Sequence, residues 1–79
     1  MVAPVHPQER RLAKKLAAGG RAIIRADGTW LTFNGQERWI SSKWIDRMER
    51  HGLITTAQLS VFSYCHWELT EKGEALARS

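Results

Sequence analysis

The stretch Arg25–Trp44, RADGTWLTFNGQERWISSKW, decides how this 79-residue chain folds. It holds Asp27-Gly28 and Asn34-Gly35, dipeptides that tolerate the positive φ angles of a tight hairpin turn. β-prone residues flank both, and the stretch runs straight into SSKWIDRMERHGLI, an amphipathic helix pattern. With Asp27-Gly28 as the central pair, Arg25 faces Trp30 and Ile24 faces Leu31. One sheet face then carries Ala22, Ile24, Leu31 and Phe33 as core, and the other carries Ile23, Arg25, Trp30 and Thr32. A second turn at Asn34-Gly35 sets Trp39 across from Trp30. The expected product is a three-stranded meander with Arg25, Trp30 and Trp39 clustered on its second face. Cross-strand aromatic and cation–π contacts there contribute about 0.5–1.5 kcal/mol each. Such a cluster either packs under a helix or stands open as an aromatic patch for a partner.

The helix that follows has its start and stop written in. Ser41 is its cap, with Ile40 before it and Ile45 at the fourth helical position as a hydrophobic staple. Trp44, Ile45 and Met48 make the apolar face, Leu53 continues it, and Gly52 supplies a left-handed stop. Lys43, Arg47 and Arg50 recur at i, i+4 and i+7 on one side, where Asp46 can pair with Arg50. Upstream, Met1–His6 reads as an arm, and Pro7 opens a helix, PQERRLAKKLAAGG, closed by Gly19-Gly20. Its stripe is thin: Leu12 and Leu16, with Ala13 and Ala17 beside them. Arg10, Arg11, Lys14 and Lys15 form either a solvated face or one that meets phosphates.

Leu53-Ile54 begins a strand, with a turn expected over Thr55–Gln58. Leu59, Val61, Cys65, Trp67 and Leu69 share one parity and read as buried, with Ser63 as the exception. Phe62, Tyr64, His66 and Glu68 share the other. Thr70 caps a short last helix carrying Ala75 and Leu76. The chain reads as one α+β domain over residues 1–79: helix, hairpin or meander, helix, β-ribbon, short helix.

Twelve Lys and Arg against eight Asp and Glu give a net charge of +4, which favours acidic partners. With one cysteine, Cys65, no internal disulfide can form, and the reducing cytoplasm is the expected compartment. MVAPVHPQERR lacks the apolar run of a signal peptide, and no stretch is long enough for a membrane span. Enzyme chemistry is not expected. Cys65 and His66 are neighbours on a strand and point to opposite faces, so they make no dyad, and Cys65 reads as a small core residue. His6, His51 and His66 lack metal-ligand spacing. The carboxylates Asp27, Glu37, Asp46, Glu49, Glu68, Glu71 and Glu74 sit mostly at turns or beside basic residues. No cofactor is expected.

The remaining chemical signal is a basic helix anchored by an apolar face, which can enter a DNA major groove. Ser42, Lys43, Asp46, Arg47 and Arg50 point outward on it. Gly52-Leu53-Ile54, a ribbon, and Leu69-Thr70-Glu71-Lys72-Gly73 resemble the second half of a winged helix-turn-helix domain of the MarR type, over residues 41–77. The resemblance implies a bacterial or phage transcription regulator that binds double-stranded DNA. Helix 42–51 would be its recognition helix and the ribbon from Leu53 to Leu69 its wing. A pair of copies would read a symmetric site, although no long dimerisation helix is present. The expected DNA-binding set is Ser42, Lys43, Arg47, Arg50, Arg10, Arg11, Lys14 and Lys15. Two features depart from that family: the ribbon tip TTAQLSVFSY has no Lys or Arg, and a sheet replaces the helix before the recognition helix. Residues 8–21, QERRLAKKLAAGGR, are similar to the YjhX-type family of small bacterial toxins that act on a topoisomerase. The alternative function is therefore a phage- or plasmid-type inhibitor or toxin, binding protein through Trp30, Trp39, Phe62 and Tyr64.

Overall fold

The computed structural model describes residues 5–58 and 65–79. The chain order is α1 (Pro7–Ala17), β1 (Arg21–Arg25), β2 (Gly28–Phe33), β3 (Gln36–Ile40), α2 (Ser42–Arg50), β4 (Ile54–Gln58), β5 (Cys65–Leu69) and α3 (Glu71–Arg78). The strands form one antiparallel five-stranded sheet in the order β3-β2-β1-β5-β4. β1 and β5 are far apart in sequence, and their pairing joins the meander to the C-terminal ribbon.

The second turn follows the sequence expectation. Asn34 and Gly35 take φ of 52° and 76°, and Trp30 pairs with Trp39. The first turn does not. Arg25 pairs with Gly28 and Ile23 with Trp30, so the turn centres on Ala26-Asp27. The cause lies across the sheet. The Trp39 indole rests on Gly28, where an added Cβ would come within 2.6 Å of Nε1. That Nε1 donates to the Asp27 carbonyl at 3.1 Å, and Trp30 Nε1 donates to the Asp27 carboxylate at 2.9 Å. Gly28 is therefore used as a floor for an aromatic ring, inside the strand rather than in the turn. The displacement is two residues, so side-chain parity survives and each residue keeps its expected face.

Leu12 and Ala13 of α1, Leu31, Ile45 and Met48 of α2, Leu53 and Ile54 form the buried core cluster. All three helices contribute to or pack against it, on the sheet face carrying Ala22 and Leu31. The opposite face lies outside that cluster, with Trp39 54% exposed. Met48 and Leu53 are each 1% exposed, and burying a side chain of that size contributes about 1.5–3 kcal/mol.

Two short motifs meet physically. Gly52 takes φ +73° and turns the chain out of α2. Thr70 Oγ1 donates to the Gly52 carbonyl, and the Thr70 amide donates to the Leu53 carbonyl. Thr70 Oγ1 also accepts the Gly73 amide at 3.1 Å as the cap of α3. A Cβ on Gly73 would stand 2.1 Å from the Leu53 oxygen. The glycine is what lets the first turn of α3 lie on the Leu53 backbone.

Several expectations are corrected. His6 belongs to no loose arm: it caps α1, its ring accepting the Gln8 amide at 3.0 Å. Thr55–Gln58 is strand, because its backbone groups are paired with Cys65–Glu68. Cys65 is exposed; it pairs with Gln58 at the far end of the ribbon, beyond the core. In α3, Ala77 packs with Leu76 against the core, whereas Ala75 is exposed. Asp46 and Arg50 stay apart instead of pairing, the described ion pairs being Arg25–Glu37, Arg47–Glu9, His51–Glu9 and His66–Glu68. An exposed helical pair of that kind stabilises by only about 0.3–0.5 kcal/mol, which solvation readily offsets.

Candidate nucleic-acid interface

α2 has three sides. Ile45 and Met48 enter the core. Ser42, Lys43, Asp46, Glu49 and Arg50 are exposed. Between these sides runs the row Trp44, Arg47 and His51, spaced i, i+3 and i+7, and this row faces the start of α1. The His6 and Trp44 rings lie 4.6 Å apart between centroids, tilted by 47°. Arg47 Nε donates to Glu9 Oε1 at 2.6 Å, and His51 Nδ1 stands 2.8 Å from Glu9 Oε2. The His6 amide donates to the same Oε1 at 3.1 Å, completing a capping box in which histidine replaces the usual serine or threonine.

Glu9 is fully buried, at 0% exposed. Burial pushes its carboxyl pKa up. The bonds from Arg47, the His6 amide and His51 more than offset this and hold it below its ordinary value of 4.5. Facing an ionised carboxylate, His51 presents Nδ1 as the protonated, donating nitrogen. Arg47 thus spends its Nε on a structural contact that fixes α2 against α1.

Among the sequence-derived DNA-binding residues, the structure places Ser42, Lys43 and Arg50 together on the outward side of α2. The Lys43 ammonium sits 5.3 Å from the Trp44 ring centroid, a cation–π contact. Arg47 neighbours them on the α1-facing flank, where its Nε is taken by Glu9. Arg10, Arg11 and Lys14 are exposed on α1 in the same helical layer. Lys15 is half-buried and lines a small recess with Phe33 and Arg38, away from α2. Glu9 was not singled out from the sequence. Its signal is local: Pro7 at the first helical position makes His6 the cap, which puts Glu9 at the third position, where a carboxylate closes a capping box.

On the opposite face, Arg25 lies 5.7 Å over the Trp30 ring and its guanidinium reaches Glu37 at 2.9 Å. The Arg25 guanidinium holds the exposed Glu37 carboxyl below its ordinary value. The row Trp39, Trp30, Ile23, His66 and Ala57 crosses all five strands through successive partners. Trp30 and Trp39 thus share one exposed face, as expected, but their indole N–H groups are already bound within the hairpin. Phe62 and Tyr64, expected on the ribbon, lie outside the described residues.

Among the described residues, no group of three or more His, Cys, Asp and Glu side chains is placed to hold a metal ion. Among the described residues, no helix is long and apolar enough to cross a membrane. Comparisons with protein-family models, with curated proteins and with solved structures found no match for this chain.

Proposed function

We propose that the chain is a small DNA-binding protein of winged-helix type, with α2 as the groove-facing helix and β4–β5 as the wing. The observation that carries this reading is the division of labour on α2. Its inner side is buried, its flank is pinned to α1 through Glu9, and Ser42, Lys43 and Arg50 stand exposed on the remaining side, with Asp46 and Glu49 among them. A helix fixed on two sides presents its third side in a defined orientation, which groove recognition requires. The strand order supports the same reading, because the hairpin after α2 returns to pair with the strand after α1. Lys43 donates to base edges or phosphates, Arg50 to the backbone, and Arg10, Arg11 and Lys14 extend the cationic surface of the helical layer. Arg47 is reassigned from base reader to brace.

Titration of a fluorescent duplex by anisotropy tests the proposal. Binding at low salt that weakens with rising salt supports it. No binding at low salt rejects it. A second reading, a protein-binding module, is favoured by one observation: Trp39 is 54% exposed on a sheet face outside the core. In that case Trp39→Ala abolishes capture of a partner protein, whereas Lys43→Ala with Arg50→Ala leaves capture intact.

A further inference from the structure

The core of this protein is open at one end. Leu16 of α1, Ile23 of β1, and Trp67 and Leu69 of β5 are each only half-buried, and all four line one groove of about 770 Å³. Leu16, Trp67 and Leu69 pack on the core cluster with their inner sides, so the groove continues that core outward. It lies beside the seam between β1 and β5, where the described residues pair Ala22 with Trp67 and Ile23 with His66. α1 enters on one strand and α3 leaves the other, and the groove lies between them. Protein interiors are normally close-packed, whereas this space is of the size that small-molecule sites occupy.

The rim is polar and unequal in charge. Arg21 and Arg78 line it, and neither has a carboxylate within 4.0 Å among the described residues. Glu68 lines it too but is engaged by His66 Nε2 at 3.0 Å. Among the described residues, Glu74 is the one lining carboxylate without such a partner, so uncompensated cations there outnumber anions by two to one. The His66 Nδ1 atom is buried with no hydrogen-bond partner among the described residues, and a buried polar atom of this kind calls for one.

We propose that this groove binds a small anionic amphiphile, a carboxylate on a medium-length apolar body. The apolar body extends the core past Leu16, Trp67 and Leu69 and reaches Ile23, which stands on the open face of the sheet beside the seam. The carboxylate takes the guanidinium groups of Arg21 and Arg78, whose planar forks match its geometry. A neutral apolar molecule would leave both arginines unanswered, and a cationic one would meet their repulsion. The site is independent of whether α2 meets DNA.

The test is a 1H–15N NMR titration of the full chain with sodium decanoate below its micelle concentration, alongside 1-decanol. The expected result is saturable shifts of the Trp67 indole and of the Leu16 and Leu69 amides, with decanol binding more weakly. Arg21→Gln with Arg78→Gln weakens decanoate binding about tenfold and leaves decanol unchanged. Both arginines are exposed, so the double variant is expected to fold. Absence of saturable shifts at Trp67 overturns the proposal. Equal binding of decanoate and decanol, unaffected by the arginine substitutions, overturns the carboxylate assignment. Decyl phosphate serves as a third arm. Decyl phosphate binding far more tightly than decanoate, with the same arginine dependence, replaces carboxylate by phosphate as the preferred head and so overturns that assignment too.

Discussion

At the scale of single residues, the fold depends on a carboxylate and a glycine in crowded places. Glu9 is buried and ties together His6, Arg47 and His51. Because its folded pKa lies below 4.5, its stabilisation is fully present above that value and is lost as pH falls through the lower folded value. Glu9→Gln keeps the shape but loses the charge, and should cost about 1–3 kcal/mol at neutral pH. In urea titrations at several pH values, the wild type should lose stability below about pH 4.5 more steeply than Glu9→Gln. Parallel curves would show that Glu9 does not act as a charge. Gly73→Ala drives a Cβ against the Leu53 carbonyl and should destabilise by about 1–3 kcal/mol or more, seen as a lower urea midpoint. The sequence made Gly73 visible as part of a motif but not its reason, which is a contact with a residue twenty positions earlier. Glu9 was legible only to a reader who accepted His6 as a cap.

At the scale of elements, local chemistry was the more legible part. Ser41, Thr70 and Gly52 act as the caps and stop that their residue types imply. Ser41→Ala should cost about 1 kcal/mol by removing the acceptor for the Lys43 amide, measurable by chemical denaturation. The first hairpin was legible in its faces but not in its register. Asp27-Gly28 reads as a turn centre when only neighbours in sequence are considered. The deciding contact, Trp39 on Gly28, comes from the third strand. Trp39→Ala should uncover Gly28 and free the Asp27 carbonyl, raising hydrogen exchange at the β1–β2 end while α2 stays protected. Uniform loss of protection would mean that Trp39 supports the whole domain and not one turn. The stripe Lys43, Arg47 and Arg50 shows how spacing alone can mislead. The three residues do lie near one another on α2, but the arrival of α1 beside Arg47 turns that side chain to Glu9. No helical spacing within α2 foretells which neighbour will stand there.

At the scale of the whole molecule, the two sides of the sheet differ in chemistry. The helical side carries Arg10, Arg11, Lys14, Lys43 and Arg50 exposed, interspersed with Asp46 and Glu49 of α2 and Glu71 and Glu74 of α3. On the open side, Arg25 is paired with Glu37 and His66 with Glu68 around the aromatic row. The α+β class and the element order were legible from turn signals and caps. The β1–β5 pairing that joins the meander to the ribbon was not, because it links strands far apart in sequence, on either side of α2. That pairing gives α2 its place between α1 and the ribbon, and so gives the proposed interface its geometry. The central claim, that the outward cations of α2 meet DNA while Arg47 works inward, is tested most directly by the salt dependence of duplex binding. For the wild type, log K should fall linearly with log salt, with a slope of about −0.9 per phosphate neutralised. For Lys43→Ala with Arg50→Ala, the slope should become shallower by about two contacts. Absence of binding at low salt, or a slope that the double substitution leaves unchanged, would contradict the claim.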